Sequence, residues 1–222
     1  MTRSSGPVST STQVAEVAAA LAALAPRGVL TGVAAIDERD VEAMFPEEAA
    51  AVAGAVPSRR REFASGRVLL RSLIGQSVPI GVAPDRAPRW PVGMTGSVAH
   101  DAAAVAAAAA PVSVTAGLGV DLEAVGPMSA EEAAVVLHDG DDPVDPRLGF
   151  VLKEAAYKAW SATGGRFLEF HEVSLRVEPG TVLAEVVGGE MTLSGRWAEA
   201  GGRWVALVVA PPADEAPSPS GR

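Results

Sequence analysis

The sequence predicts an α+β protein of two similar α/β halves, each a long helix laid against a mainly antiparallel sheet. Two observations carry this. Residues 59–74 and 147–162 both show helical periodicity, each opened by a proline and closed by glycine. Each is also accompanied by short apolar runs of strand length, punctuated by Pro, Gly and Asp. No sequence repeat is visible, so the halves correspond in pattern only. The expected division is 12–111 and 112–210, with 1–11 and 211–222 as disordered ends rich in Ser, Pro, Thr or Gly.

The elements follow in order. TQVAEVAAALAALA (12–25) reads as a helix stopped by Pro26, and GVLTGVAAI (28–36) as a strand. A short helix follows Pro46. Pro57-Ser58 offers an N-cap for the helix over 59–74. On that helix Arg60, Arg67 and Arg71 fall within roughly 40° of arc at about 100° per residue. Glu62 is the one acidic residue at helical spacing from them, which makes this face a candidate anion site.

Residues 76–93 form a proline-rich loop containing PDRAPRWP. The alanine run that follows has helical propensity, yet Pro111 bounds it and apolar-polar alternation precedes it. An antiparallel pair of 95–109 with 115–122 is therefore expected. Residues 129–138 suggest a short helix and 139–146 an acidic turn-rich loop. Pro146 then opens the helix over 147–162, closed by Thr163-Gly164-Gly165. Strands are expected near 171–178, 181–188 and 203–210, with a further segment at 191–197.

Composition removes several function classes. The 222 residues contain no Cys, hence no disulfide, thiolate nucleophile or Cys-based metal site. A net charge of −9 argues against nucleic-acid binding. No basic-then-apolar leader or bilayer-length apolar run is seen, so the reading is a cytoplasmic protein with no membrane role.

The chemistry concentrates in two stretches. In LGVDLEAV (118–125) strand alternation puts Asp121 and Glu123 on one face and Leu122 on the other. Two like charges side by side are costly to bury without a partner. In FVLKEAAYKAW (150–160), Glu154 and Lys158 share a helix face one turn apart, with Lys153 on the flank. Lys153 and Lys158 are the two lysines of a chain that otherwise writes Arg, and an ammonium is a compact charge that Arg does not replace. If Glu154 faces Asp121 and Glu123, three carboxylates converge and require a cation. Oxygen-only ligands favour Mg²⁺ over Zn²⁺, and Mg²⁺ sites commonly stay open to substrate phosphates.

GVDLE (119–123) followed by KEAAYK (153–158) closely resembles the paired signature of the Sfp-type 4′-phosphopantetheinyl transferases, in their bacterial EntD-like branch. RRREFASGR (59–67), RAPRWP (86–91) and GSVAH (96–100) match further motifs in order, so the resemblance spans roughly 27–165. It implies two pseudo-twofold-related α/β halves with the active site between them. It also implies Mg²⁺-dependent transfer of the phosphopantetheine arm of coenzyme A to a serine of an acyl or peptidyl carrier protein, by a monomer, with release of 3′,5′-ADP.

By the same resemblance Asp121, Glu123 and Glu154 match the metal ligands. Arg59 and Arg67 match phosphate contacts, although helical geometry places Arg60 rather than Arg59 beside Arg67. His100 matches a residue near the 3′-phosphate, and Arg86, Ala87 and Pro88 match the adenine loop. Lys153 and Lys158 are expected on phosphate, with Lys158 stabilising or protonating the leaving group. Glu154 is the expected base, a role that Glu123 or a metal-bound water could share. Ala99 departs from the family's Ser or Thr and is expected to cost one phosphate hydrogen bond. Segment 124–146 is the expected carrier contact. The competing readings are an Mg²⁺-dependent phosphohydrolase and a non-catalytic coenzyme A or carrier-binding module.

Overall fold

The computed structural model describes residues 9–83 and 87–212. Of the disordered ends expected at 1–11 and 211–222, residues 1–8 and 213–222 lie outside the described residues. Residues 9–11 are not loose: Ser9 caps helix α1 (Thr10–Leu24) by accepting from the Thr12 N–H. Strand β1 is Leu30–Ala35, helix α2 Pro46–Ala51 and helix α3 Pro57–Ile74. Helix α3 starts one residue before the expected Ser58 cap. Val56 stands at the cap position and Pro57 in the first turn, where a missing N–H goes unneeded. Gly75, at φ 66°, ends it in the left-handed conformation that favours glycine.

The alanine run is a strand, as expected, but its pairing is different. Strands β2 (Met94–His100) and β3 (Ala104–Pro111) form a hairpin with each other, and β1 pairs on the far side of β3. Asp101 makes the turn, its Oδ1 accepting from the N–H groups of Ala103 and Ala104 at 2.8 Å. The expected partner of this segment, β4 (Leu118–Ala124), instead pairs antiparallel with β8 (Arg203–Val209) in a second sheet. That sheet runs β4-β8-β7-β6-β5, with β5 at Val173–Glu178, β6 at Thr181–Val186 and β7 at Thr192–Ala200. Helices α4 (Ala130–Val136) and α5 (Pro146–Ala162) connect β4 to β5 within this second sheet, and Asp145 caps α5.

Burial on both faces explains why β3 is alanine-rich. Ala107 packs with Leu70 and Ile80 beneath α3. Ala104, Ala106, Ala108 and Ala110 face Leu118, Val120 and Leu122 of β4 and the apolar side of α1. Small side chains let the layers close, and that tertiary fit overrides helix propensity. Strand β8 alternates between two cores: Val205 and Leu207 join this one, while Ala206 and Val208 join the core under α5. The architecture is thus α+β with a long helix against each antiparallel sheet. Among the described residues no helix is long and apolar enough to cross a membrane.

One contact positions the site. With Leu118, Val120 and Leu122 turned to the inter-sheet core, alternation turns Gly117, Gly119, Asp121 and Glu123 toward α5. A Cβ on Gly119 would stand 1.8 Å from the Ala155 carbonyl oxygen, and one on Gly117 2.1 Å from that of Ala159. Glycine alone lets strand and helix backbones meet here. One residue pair further along, the same strand face presents its carboxylates to the same helix.

Candidate active site

Asp121 is buried, and Lys158 Nζ reaches across from α5 to donate to its Oδ1 at 2.6 Å and to the Val120 carbonyl at 3.2 Å. The other carboxylate oxygen, Oδ2, is buried and finds no hydrogen-bond partner among the described residues. Glu154 precedes Lys158 by one helical turn. Burial pushes all three carboxyls above their usual range. The Asp121 charge pushes Glu123 and Glu154 further, while Lys158 acts in the opposite sense on each. The three carboxylates therefore share one electrostatic field.

As the side chains stand, no three His, Asp or Glu groups among the described residues are close enough to grip an ion. The donor chemistry nevertheless fits a hard divalent cation. Every group is an oxygen ligand, and Asp121 holds one unsatisfied buried oxygen.

Glu154 and Lys158 line a cleft of about 540 Å³ between the two halves, with Asp121 behind Lys158, whereas Glu123 lines a separate cavity beside Met128, Arg147 and Phe150. Helix α5 lines one wall with Glu154, Tyr157 and Lys158; β2 lines the other with Ser97 and His100; Arg59 stands at the end of α3. Ala87 and Pro88 also line it, and Arg86 lies outside the described residues. Arg59 hydrogen-bonds His100 Nε2 and sits 3.4 Å from Glu62, whose carboxylate is 3.5 Å from His100 Nδ1. Burial lowers the proton affinity of His100; Glu62 opposes this, while the fields of Arg59 and Lys158 add to it. Cations from both halves thus face one cavity.

The expected arginine face divides. Arg67 is buried, donates to the Ile80 carbonyl at 2.7 Å and stacks 4.2 Å over Phe63; burial lowers its pKa to about 10. It shares a second cavity, of about 310 Å³, with Arg59 and His100. Arg59, Phe63, Gly66 and Arg67 form that stripe, so Arg59 and not Arg60 is the neighbour of Arg67. An i, i+4, i+8 row drifts by only about 80°, which a long arginine spans easily. Arg71 does not join them. Both oxygens of the fully buried Glu48 accept from it at 2.7 Å, a partner from α2 that helical spacing could not reveal.

Two further expectations are corrected. Lys153 turns away from the carboxylates: it is buried, donating to Asp141 at 2.7 Å and to the Phe170 carbonyl at 2.9 Å. Ala99 points into the inter-sheet core, so its side chain is remote from the phosphate contact assigned to it. Trp90 and Tyr157 line the cleft without having been singled out. Gly96 held the signal for Trp90, because a Cβ there would stand 2.5 Å from the indole.

Comparison with known proteins adds to this geometry. Residues 47–110 match the family model of the 4′-phosphopantetheinyl transferase N-terminal domain. The chain is 39% identical to the 4′-phosphopantetheinyl transferase Svp of Streptomyces mobaraensis, over 88% of this chain and 92% of the relative. The chain belongs to the 4′-phosphopantetheinyl transferase family. Two other members, Npt of Nocardia iowensis and PptT of Mycobacterium tuberculosis, are 31% and 30% identical over 61% and 68% of this chain, and over 68% and 75% of their own lengths. This transferase thus has its cleft where the family-model match meets the second half: Arg59, Pro88 and His100 lie inside the matched segment, while Glu154 and Lys158, and Asp121 behind Lys158, lie beyond it.

Proposed function

We propose that the chain transfers the 4′-phosphopantetheine arm of coenzyme A to a serine hydroxyl of an apo acyl or peptidyl carrier protein and releases 3′,5′-ADP. One observation carries this reading: Lys158, which lines the cleft with Arg59, His100 and Glu154, is bonded from behind to Asp121, a buried carboxylate with one unsatisfied oxygen. Asp121, Glu123 and Glu154 would hold Mg²⁺ there. Bound at that site, Mg²⁺ supplies charge neutralisation to a pyrophosphate undergoing in-line attack.

The remaining work belongs to the chain's own side chains. Arg59 and His100 bind the 3′-phosphate end, supported by Arg67, whose guanidinium is held by backbone carbonyls. Ala87 and Pro88 bound the adenine. Lys158 steadies the pyrophosphate. Glu154, whose proton affinity burial has raised, takes the proton of the attacking serine. Lys153 has no phosphate role in this reading. The ordered motifs favour the Sfp-type, EntD-like branch acting as a monomer in the cytoplasm, with segment 124–146 as carrier contact.

Incubation with coenzyme A, Mg²⁺ and an apo carrier protein, followed by intact-mass measurement of the carrier, tests the proposal. The expected result is a gain of one phosphopantetheinyl group per carrier with equimolar 3′,5′-ADP. Coenzyme A consumed with the carrier unchanged would identify a phosphohydrolase. Coenzyme A bound but intact would identify a binding module.

A further inference from the structure

Lys158 stands where a second role becomes visible. Its ammonium contacts the buried carboxylate that, in the reading above, a divalent ion must also contact. A carboxylate as buried as Asp121 needs a cation of some kind beside it. Lys158 supplies one at 2.6 Å, and the Val120 carbonyl holds the ammonium in place at 3.2 Å. A divalent ion held by Asp121 would share that carboxylate with the ammonium, and two positive charges on one carboxylate repel. The two cations are rivals for Asp121.

The same side chain also lines the cleft that faces Arg59 and His100. A lysine on a flexible four-carbon stem can exchange one anionic partner for another without moving its helix. We infer that Lys158 is the resident counter-cation of Asp121, and that substrate phosphates draw it off, so that the divalent ion and the phosphorylated substrate bind cooperatively. The inference rests on the metal assignment proposed above. It gives Lys158 a task before the chemical step: keeping the carboxylate site closed to free divalent ions until a pyrophosphate arrives. Linkage makes the effect reciprocal, the ion tightening coenzyme A as coenzyme A tightens the ion.

The test reads metal binding rather than turnover. Mn²⁺ serves as the probe, its free concentration followed by electron paramagnetic resonance, with and without coenzyme A and corrected for the solution Mn²⁺–coenzyme A complex. For the parent protein, coenzyme A should tighten Mn²⁺ by about 5–150-fold, the usual span of site-to-site coupling. Lys158→Met should bind Mn²⁺ several-fold more tightly than the parent without coenzyme A, and its coenzyme A effect should shrink. Lys158→Gln, uncharged but able to donate to Asp121, should do the same should the Met variant fail to fold, whereas Lys158→Arg should keep the parent's weak affinity. Mn²⁺ affinity in the uncharged variants equal to the parent's would overturn the counter-cation role and leave the metal site standing. Mn²⁺ binding to none of the proteins, even with coenzyme A, would overturn the metal assignment itself.

Discussion

Glu123 and Lys153 show how differently single ionisable residues are accommodated here. Burial and the neighbouring Asp121 charge raise the Glu123 pKa, so the folded state holds that proton more firmly than the unfolded chain does. Stability is therefore lost as pH climbs from the ordinary glutamate range toward the raised value. Glu123→Gln should melt at a higher temperature than the parent near neutral pH in chelator, with the difference vanishing at low pH where both side chains are uncharged; melting curves across pH check it. Lys153 sits at the opposite extreme, 1% exposed and fully paired with Asp141. Lys153→Met leaves that buried carboxylate with the His138 and Leu175 N–H groups but without its cation, and should cost about 3–5 kcal/mol of folding stability in denaturant titration. The sequence marked both lysines as special and could not say why each survives. One faces substrate space, while the other closes a buried pair whose partner lies 12 residues away in a loop.

At the scale of elements, the contact of β4 with α5 is the most demanding feature. Gly119→Ala would drive a methyl into the Ala155 carbonyl, where neither backbone can yield. The expected loss is about 3 kcal/mol or more, seen as a lowered denaturation midpoint with transfer activity lost in parallel. Both long helices, the strand nature of the alanine run and the shared face of Asp121 and Glu123 were legible because each follows from local periodicity and proline or glycine punctuation. Strand pairing was not. The choice between β3 and β8 as partner for β4 depends on the Asp101 turn and on which layer covers which, and these are long-range matters. Arg71 was misread for the same reason, since Glu48 reaches it from another helix. Gly117 and Gly119, four and two residues before Asp121 on one strand face, were the unread sign of close helix approach.

The whole molecule depends on how its two sheets are held across the cleft. Arg203 of β8 donates to Asp101 of the β2–β3 turn at 2.6 Å, a largely buried clasp between the halves. Burial acts to raise the Asp101 pKa, but the Arg203 guanidinium and two turn N–H groups outweigh it and the net shift is downward. The clasp therefore stabilises fully above the ordinary aspartate range and is lost as pH falls through the lowered value. Asp101→Asn should cost about 3–5 kcal/mol near neutral pH by leaving Arg203 unpaired. That deficit should narrow in acid, as a pair of urea titrations at the two pH values will read. Helix α1 adds a second tie, the Ala23 carbonyl accepting from Arg196 of β7 at 2.9 Å. A cleft fixed from both sides keeps Arg59 and His100 opposite Glu154 and Lys158, the arrangement on which the proposed transfer rests.

The decisive measurement is the single-turnover rate of phosphopantetheine transfer from coenzyme A to an apo carrier protein, with Mg²⁺ present, for the parent and for Asp121→Asn. The substitution preserves shape and leaves the cleft cations in place, and circular dichroism verifies the fold. If the buried carboxylate of β4 anchors the metal, the rate should fall by at least about 10²-fold, the scale of several kcal/mol of lost charge stabilisation, while coenzyme A still binds through Arg59 and His100. An Asp121→Asn protein that transfers at the parent's rate would contradict the carboxylate-centred site.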